Sequence, residues 1–547
     1  MIERKELAIK DGKLFSFRPV PAKEVIDISG LYVSPGFIES HLHLEGLHVL
    51  PAAYNQAFLS HGTTTIITDL HEIANAGGLP GVRWYLRLLE TIPLDVFVMA
   101  PSCVPSCRFE LGFGELGVKE LAWLKSHKRV IGLGEMMDIG GVLGRKKSVT
   151  GKIDLFAGKP VDGHAPMLSG EALQSYISVG IHSDHETTSL EEGREKLAHG
   201  MHLFLRQGSV SKDLDALSPL VKDHYLSQLS LCTDDLSARD LFEHGHLDRL
   251  VRQLVRSGLP LARAIRLVTI SPANYFNLAD RKGFGLGRKA DLAVFEDAQD
   301  IRTRMTIKNG RVVYLSACGG AQAGRDGKEL HQGPALKTAS SSRMKVAPFS
   351  LDDLRQKAIG RTIHVIGVRE GTLLSEHGVT DARIEDGYLL PDTDRDIIYA
   401  YVFDRYRGEK RYGFGFVQGF SLRGGAVGTT YAHDSHNLII IGDSLVDIFT
   451  VLITLTKENG GMALSRRGRL VEHIPMPFYG IISDRDGHGF LRMEKQMHEA
   501  LKRMGVTLTN PFFQMSFLSL PVIPALRLTT HGLFDVARMR HIGVSDE

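Results

Sequence analysis

Residues 31–70, LYVSPGFIESHLHLEGLHVLPAAYNQAFLSHGTTTIITDL, contain two short apolar runs separated by a longer segment. This alternation of apolar runs with segments of helical period continues to about residue 280. It is typical of repeated βα units around a parallel sheet. The predicted strands are LYVSPGFIES (31–40), TTTIITDL (63–70), DVFVMAPS (95–102), RVIGLGEM (129–136), KPVDGHA (159–165), GIHSD (180–184), MHLFLRQ (201–207) and LSLCTDD (229–235). Since eight parallel strands close a barrel, we predict an α/β fold with a (β/α)8 TIM-type barrel over residues 34–282.

The segments that flank the barrel have a different pattern. Residues 1–33 and 283–315 contain short strand-like runs with KDG and KNG turns, and we predict that they form one small discontinuous β-domain. Residues 316–346 are rich in Gly, Ala and Ser without periodicity, which predicts a linker or exposed loop. Residues 347–547 are predicted to form a C-terminal α/β domain.

Composition excludes several classes of protein. The 65 Lys and Arg against 63 Asp and Glu give a net charge of +2, too small for binding to nucleic acid or an anionic membrane surface. No stretch approaches the roughly 20 apolar residues of a membrane span, and the charged start differs from a signal peptide. The four cysteines, Cys103, Cys107, Cys232 and Cys318, are too few for a disulfide scaffold. We therefore expect a cytoplasmic protein with reduced, mostly packed thiols.

Histidines and carboxylates collect where the predicted strands end. These residues are His41, His43, Asp69, His71, Glu72, Glu135, His164, Asp184, His185, Glu186, Asp234 and Asp235. In a barrel of this type, the C-terminal ends of the strands share one rim, where the βα loops build the active site. The side chains are therefore expected to converge.

The composition of this group predicts a metal site. His41 and His43 are two residues apart, so both side chains point to the same face of a strand and can bind one cation. Imidazole and carboxylate ligands suit zinc, iron or manganese, and a carboxylate such as Glu135 can bridge two cations. A lone His-x-His pair would be weak evidence, but His164, His185 and Asp234 also lie at strand ends.

A family resemblance rests on longer motifs. HLHLEG, HGTTTIITDLHEIANAGG, GLGEMMD, DGHAPMLSG, SDHETTSLEEGREKL, GSVSKDLDALSPL and CTDD closely resemble, in order and spacing, the prokaryotic adenine deaminases of the amidohydrolase superfamily. GFSLRGGAVGTTYAHDSHNLIIIGDS, ENGGMAL and IPMPFYGIISD resemble that family's second domain. The resemblance covers nearly the whole chain. It implies hydrolytic deamination of adenine to hypoxanthine and ammonia, a small-molecule purine substrate, and a homo-oligomer.

Carried over residue by residue, the resemblance implies a binuclear manganese or iron centre, for which zinc would also be suitable. The implied ligands are His41, His43, Glu135, His164, His185 and Asp234, with Glu135 as the bridge. Many superfamily members bridge instead with a carbamylated lysine at strand four. The glutamate here argues against a hydantoinase or a dihydroorotase.

The expected mechanism assigns catalytic roles to Asp234 and Glu135. A metal-activated hydroxide would attack C6 of adenine, and Asp234 would take the proton and pass it toward the departing amine. Ring nitrogen N1 must also gain a proton. The candidates for that donor, or for orienting the purine, are Asp69, His71, Glu72 and Glu186, each of which could equally hold a liganding imidazole. Asp235 is expected to point to the opposite face from Asp234.

Two alternative functions follow from the same residues. Glu45–His48 and Asp69–Glu72 differ from the family's HIESS and DPHE, which leaves open another amidohydrolase-type deaminase or a cyclic amidohydrolase acting on a different purine, a pyrimidine or a cyclic amide. A catalytically silent paralogue would lack a ligand, whereas all six are present.

The cluster AHDSHN, with His433, Asp434, His436 and Asn437, is a second group of potential ligands. It could form an accessory metal site, a subunit contact or a helix-capping turn. We favour a structural role.

Overall fold

Three short strands precede the barrel in the computed structural model, which describes residues 2–222, 226–316 and 343–545. They are β1 (Ala8–Lys10), β2 (Lys13–Ser16) and β3 (Tyr32–Pro35). β1 and β2 form an antiparallel hairpin around Asp11 and Gly12, both at positive φ. Asp-Gly favours this two-residue turn because both positions require a left-handed backbone.

Eight parallel strands form the barrel. They are β4 (Phe37–Leu42), β5 (Thr63–Asp69), β6 (Asp95–Ala100), β7 (Val130–Met136), β8 (Val161–Gly163), β9 (Ser183–Asp184), β10 (His202–Arg206) and β11 (Leu229–Cys232). β4 to β8 pair in order, and so do β9 to β11. His182 N–H donates to the Val161 carbonyl (3.0 Å), and Asp234 N–H donates to the His41 carbonyl (3.0 Å), which joins the two groups at both ends. The predicted barrel fold is confirmed.

Helices connect the barrel strands and continue beyond the last of them. They are α1 (Pro51–Ser60), α2 (His71–Leu89), α3 (Val118–Lys125), α4 (Ile139–Leu143), α5 (Lys147–Leu155), α6 (Gly170–Ser178), α7 (Leu190–Ala198), α8 (Leu214–Leu217), α9 (Leu247–Arg256), α10 (Leu261–Arg266) and α11 (Ile270–Tyr275). The glycine-rich connection after β7 contains two short helices, α4 and α5, instead of one long helix.

The first predicted run, 31–40, is two strands and not one. Its first half is β3, which pairs with a strand near residue 292, and its second half is β4 in the barrel. Gly36 lies between them, where a Cβ atom would come within 2.3 Å of Thr64 Oγ1. The chain therefore passes from one sheet to the other at a position that has no room for a side chain.

A small antiparallel sheet joins segments that lie far apart in the sequence. It has the order β14 (Arg311–Leu315), β13 (Thr303–Lys308), β12 (Leu292–Phe295) and β3. This pairing brings residues of both predicted β-domain segments together, while the domain boundaries stay a prediction. Most of the predicted linker, residues 317–342, lies outside the described residues, as does Cys318. Cys103 and Cys232 are buried free thiols, and Cys107 is half-buried.

The C-terminal part is rich in β-structure. Its strands are β15 (Thr362–Gly367), β16 (Glu376–Asp381), β17 (Arg383–Glu385), β18 (Tyr388–Leu390), β19 (Ile397–Phe403), β20 (Tyr412–Gln418), β21 (Ala426–Thr429), β22 (Leu438–Gly442), β23 (Gly461–Arg466), β24 (Arg469–Pro475), β25 (Leu526–Thr529), β26 (Gly532–Asp535) and β27 (Arg540–Ile542). Its α-helices are α12 (Leu445–Lys457), α13 (Gly487–Arg503) and α14 (Pro511–Phe517). Eight strands form one mixed sheet in the order β16-β15-β20-β19-β22-β21-β23-β24.

The C-terminal part packs directly against the barrel. Trp84 of α2 contacts Phe478 and Tyr479, with 5.4 Å between ring centroids in each pair. Glu110, in the loop after β6, accepts hydrogen bonds from Thr530 N–H (2.9 Å) and Thr530 Oγ1 (2.5 Å). One continuous apolar core therefore extends through both parts of the chain. None of the helices in the described ranges has both the length and the apolar character needed to span a membrane.

Candidate metal centre

The six predicted ligands meet at the C-terminal rim of the barrel. His41 lies in β4, and His43 comes directly after it. The other four ligands lie in, or just beyond the ends of, four further barrel strands. The residues are His41, His43, Glu135, His164, His185 and Asp234. All are buried except His164, whose side chain is 21% exposed. The rim position is the one that barrel enzymes use for chemistry.

Glu135 lies at the centre of the cluster, and its two carboxylate oxygens face different histidines. Oε1 is 3.3 Å from His43 Nε2 and 3.9 Å from His41 Nε2. Oε2 is 2.7 Å from His164 Nδ1 and 3.4 Å from His185 Nε2. A carboxylate placed in this way can serve two cations at once.

Asp234 approaches the cluster from beyond β11. Its Oδ1 is 3.5 Å from His41 Nε2 and 3.3 Å from His43 Nε2. The ring of His41 stacks on that of His185, with 4.0 Å between centroids. Asp234 Oδ1 therefore lies near the Nε2 atoms of both His41 and His43, where it could bind the same cation as these two histidines.

The donor atoms of the cluster fit a divalent metal. His41 Nε2 and Glu135 Oε1 are buried and have no hydrogen-bond partner. Their lone pairs are therefore available, and leaving them without any partner would be unfavourable. Among these six residues, three overlapping triplets have ligand atoms within 4.8 Å of one another: His41–His43–Glu135, His41–His185–Asp234 and Glu135–His164–His185.

The electrostatics of the cluster differ from one imidazole to the next. Burial, together with the imidazole of His185, lowers the pKa of His41 to about 4. Burial also opposes protonation of His185, but the carboxylates of Glu135, Asp234 and Glu186 together outweigh it and raise the pKa of His185 to about 9. Since protons and cations compete for the same nitrogen lone pairs, metal binding would release protons from this group.

The predicted substrate residues Asp69, His71 and Glu72 lie beside the cluster. Asp69 Oδ2 accepts a hydrogen bond from Glu135 N–H (3.0 Å), and burial raises the pKa of Asp69 to about 6. His71 lies between two carboxylates, with Nδ1 3.3 Å from Glu135 Oε1 and Nε2 3.3 Å from Glu72 Oε1. Asp69 thus supports the backbone of Glu135, while His71 contacts its carboxylate.

Glu186, the fourth predicted substrate residue, has a partner that the sequence reasoning missed. Buried Arg206, the last residue of β10, binds Glu186 through Nη1 and places the same atom 3.1 Å from Asp234 Oδ2. Its Nε donates to Asp213 Oδ2 (2.7 Å). The signal in the sequence is the position of Arg206 at the end of the seventh predicted strand, on the same rim as the acidic residues and histidines.

Asp235 does not point away from the site, contrary to the prediction. β11 ends at Cys232, and Asp234 has φ +55°, so the alternation of a strand no longer applies. A carboxylate oxygen of Asp235 lies within 4.8 Å of ligand atoms of His43 and Asp234. Asp235 is therefore a neighbour of the centre.

The C-terminal histidines also reach the site. His433 Nδ1 is 2.8 Å from Glu72 Oε1, and His436 Nε2 contacts Glu72 Oε2. Both histidines are buried. The sequence indicated their clustering but gave no indication that they contact the barrel.

Two sequence families match the chain. Residues 32–313 match the amidohydrolase family, and residues 372–540 match the adenine deaminase C-terminal domain.

The chain aligns with adenine deaminases of other organisms over nearly its whole length. The chain is 38% identical over 539 residues to adenine deaminase from Syntrophobacter fumaroxidans, covering 98% of this chain and 92% of the relative. It is 35% identical over 542 residues to adenine deaminase 2 from Carboxydothermus hydrogenoformans, covering 99% and 93%. It is 36% identical over 544 residues to adenine deaminase from Dehalococcoides mccartyi, again covering 99% and 93%.

Proposed function

Because the chain belongs to the adenine deaminase family of the amidohydrolases, we propose that the cluster around Glu135 is the centre at which it acts. The protein is an enzyme that hydrolyses adenine to hypoxanthine and ammonia. The proposal concerns the residues that perform this reaction and the metal they hold.

The orientation of the Glu135 carboxylate carries the proposal. Oε1 faces His41 and His43, and Oε2 faces His164 and His185. We assign one cation to His41 and His43 and a second to His164 and His185. Glu135 would contribute a carboxylate oxygen to each cation, and Asp234 would be a further ligand beside the His-x-His pair. Nitrogen and carboxylate ligands without thiolates suit manganese or iron, with zinc as the third option.

A bound divalent pair would supply Lewis acidity, which would make a water molecule nucleophilic at neutral pH. Asp234 is the proposed base: it takes a proton from the attacking water and delivers it to the departing amine at C6. Arg206 holds Asp234 Oδ2 and thereby fixes the direction of this carboxylate.

The four candidate purine contacts divide into two groups by their partners. Asp69 is engaged with the Glu135 backbone, and Glu72 is enclosed by histidines, so both act by holding other groups. We assign the contact with the purine ring, and the protonation of N1, to His71 or Glu186; this donor would regain its proton from the C6 hydroxyl as the C6–N bond breaks and the carbonyl forms. His71 borders the cluster directly, and the side chain of Glu186 is 16% exposed.

Substrate choice is tested by ammonia release. The manganese- or iron-loaded protein is expected to release ammonia from adenine far faster than from other aminopurines, aminopyrimidines or cyclic amides. Turnover of a cyclic amide or an aminopyrimidine with adenine left unchanged would overturn the adenine assignment. Inactivity on the whole panel would indicate a silent paralogue.

We propose that the protein forms a homo-oligomer and is located in the cytoplasm. Sedimentation velocity would distinguish an oligomer from the 60.4 kDa monomer, and cell fractionation would test the location.

A further inference from the structure

Glu72, the second residue of α2, is a carboxylate held by two parts of the chain. Its side chain is completely buried. On the barrel side, Oε1 is 3.3 Å from His71 Nε2. On the C-terminal side, His433 Nδ1 is 2.8 Å from Oε1 and His436 Nε2 contacts Oε2, while Tyr431 Oη donates to Oε1 at 3.4 Å. Both oxygens of Glu72 therefore lie against residues of the C-terminal part.

The two C-terminal histidines are themselves held in place. The His433 ring stacks on Phe517, with 4.3 Å between centroids, and its backbone N–H donates to the Ser516 carbonyl at 2.9 Å. Ala432 N–H donates to His436 Nδ1 at 3.2 Å, so Nδ1 is an acceptor and the ring proton lies on Nε2, facing Glu72. The ring nitrogens that face Glu72 thus belong to rings with fixed orientation.

Through Glu72, this arrangement reaches the proposed metal bridge. His71 lies between Glu72 and Glu135, with one ring nitrogen facing each carboxylate. A carboxylate that engages one nitrogen of an imidazole fixes the tautomer and the orientation of the ring. A displaced Glu72 would free the His71 ring.

We propose that His433 and His436 are positioning residues: they hold Glu72 so that it aims His71 at Glu135, and the C-terminal domain thereby completes the active site. This inference rests on the proposed function of the cluster. A buried carboxylate without partners is strongly unfavourable, so Glu72 depends on these two histidines for its place.

A role in holding the two parts of the chain together does not by itself explain why His433 and His436 face Glu72. The apolar contacts of Trp84 and the Glu110–Thr530 hydrogen bonds already join the barrel to the C-terminal part. A third cation is also not favoured. In the ranges that the structure describes, no triplet with ligand atoms within 4.8 Å of one another combines Glu72 with either histidine.

Variants at the two histidines test the proposal. His433→Leu and His436→Leu remove the donors, and we expect kcat for adenine to fall by about ten- to a hundredfold, the range seen when such supporting partners are lost. KM should change much less. His433→Asn and His436→Gln place an amide N–H near the positions of Nδ1 and Nε2, so they should recover most of the lost kcat. His436→Asn, whose amide is too short to reach Glu72, replaces His436→Leu if the leucine variant does not fold.

Thr530→Val is the matched control, because it removes a polar contact between the two parts of the chain without touching Glu72. It should keep the kcat of the parent protein. Metal content and Tm are measured for every variant, and the amide variants should match the parent in both.

Three results would overturn the inference. They are leucine variants with the parent kcat, an equal loss of kcat in Thr530→Val, or the loss of one metal ion per chain in the histidine variants. The parent protein is assayed first. If the parent does not turn over adenine, the proposed function fails; if it does and the leucine variants match it, only this inference fails.

Discussion

Replacing Asp234 by asparagine is expected to lower kcat by about a hundredfold or more, the range typical of a lost general base. The amide keeps the size of the carboxylate and an oxygen for the metal, but it cannot accept a proton from the attacking water. Steady-state assays of adenine turnover measure the effect. Saturating metal can compensate for a lower metal affinity, but it cannot replace the lost proton transfer. It should therefore not restore the rate.

Asp162→Asn is the matched control for this change. Asp162 lies in β8, is fully buried, and binds Ser183 and Tyr275 through one oxygen without contacting the metal cluster. Burial raises its pKa to about 7, so a neutral amide is a mild replacement. A return of Asp234→Asn to near the parent rate at saturating metal would make Asp234 only a ligand. Asp235 is unsuitable as a control because it borders the same cluster.

Replacing Glu135 by glutamine should remove the bridge between the two cations. A neutral amide is a poor bridging ligand, so we expect metal affinity to fall by at least about a hundredfold, beyond the usual effect of losing an outer partner. Adenine turnover should fall with the metal content. Elemental analysis and kcat, measured on the same preparations, would show the two losses together.

Glu110→Gln serves as the control for the Glu135 variant. Glu110 is also a buried glutamate, but it binds Thr530 and lies outside the six-residue cluster. It should retain both metal ions and activity. Parent-level metal content and rate in Glu135→Gln would reassign Glu135 to a structural role.

Local patterns made the barrel predictable from the sequence. Most barrel strands are short apolar runs, whereas β8 (Val161–Gly163) and β9 (Ser183–Asp184) are short and largely polar and were located by their place in the alternation of strands and helices. The rim position of His41, His43 and Glu135 follows from chain order alone. The division of residues 31–40 between two sheets did not follow, because a strand's partner is a long-range property. Asp235 was misplaced because the strand period was extended past Cys232, where β11 ends.

The contacts that cross between domains could not be predicted from the sequence. The approach of His433 and His436 to Glu72 depends on how two separate sheets dock, and hydrophobic periodicity does not specify that geometry. Arg206 was overlooked for a different reason. An arginine is not a metal ligand, so the pattern of ligand residues in the sequence does not indicate its pairing with Asp234 and Glu186.

Metal depletion followed by stepwise reconstitution tests the central claim most directly. Chelation should abolish adenine turnover, and activity should return in proportion to added manganese or iron until about two ions are bound per chain. This stoichiometry is expected because Glu135 faces two sets of histidines. Turnover that survives complete metal removal, or that is fully restored by one ion per chain, would contradict a binuclear centre at these residues.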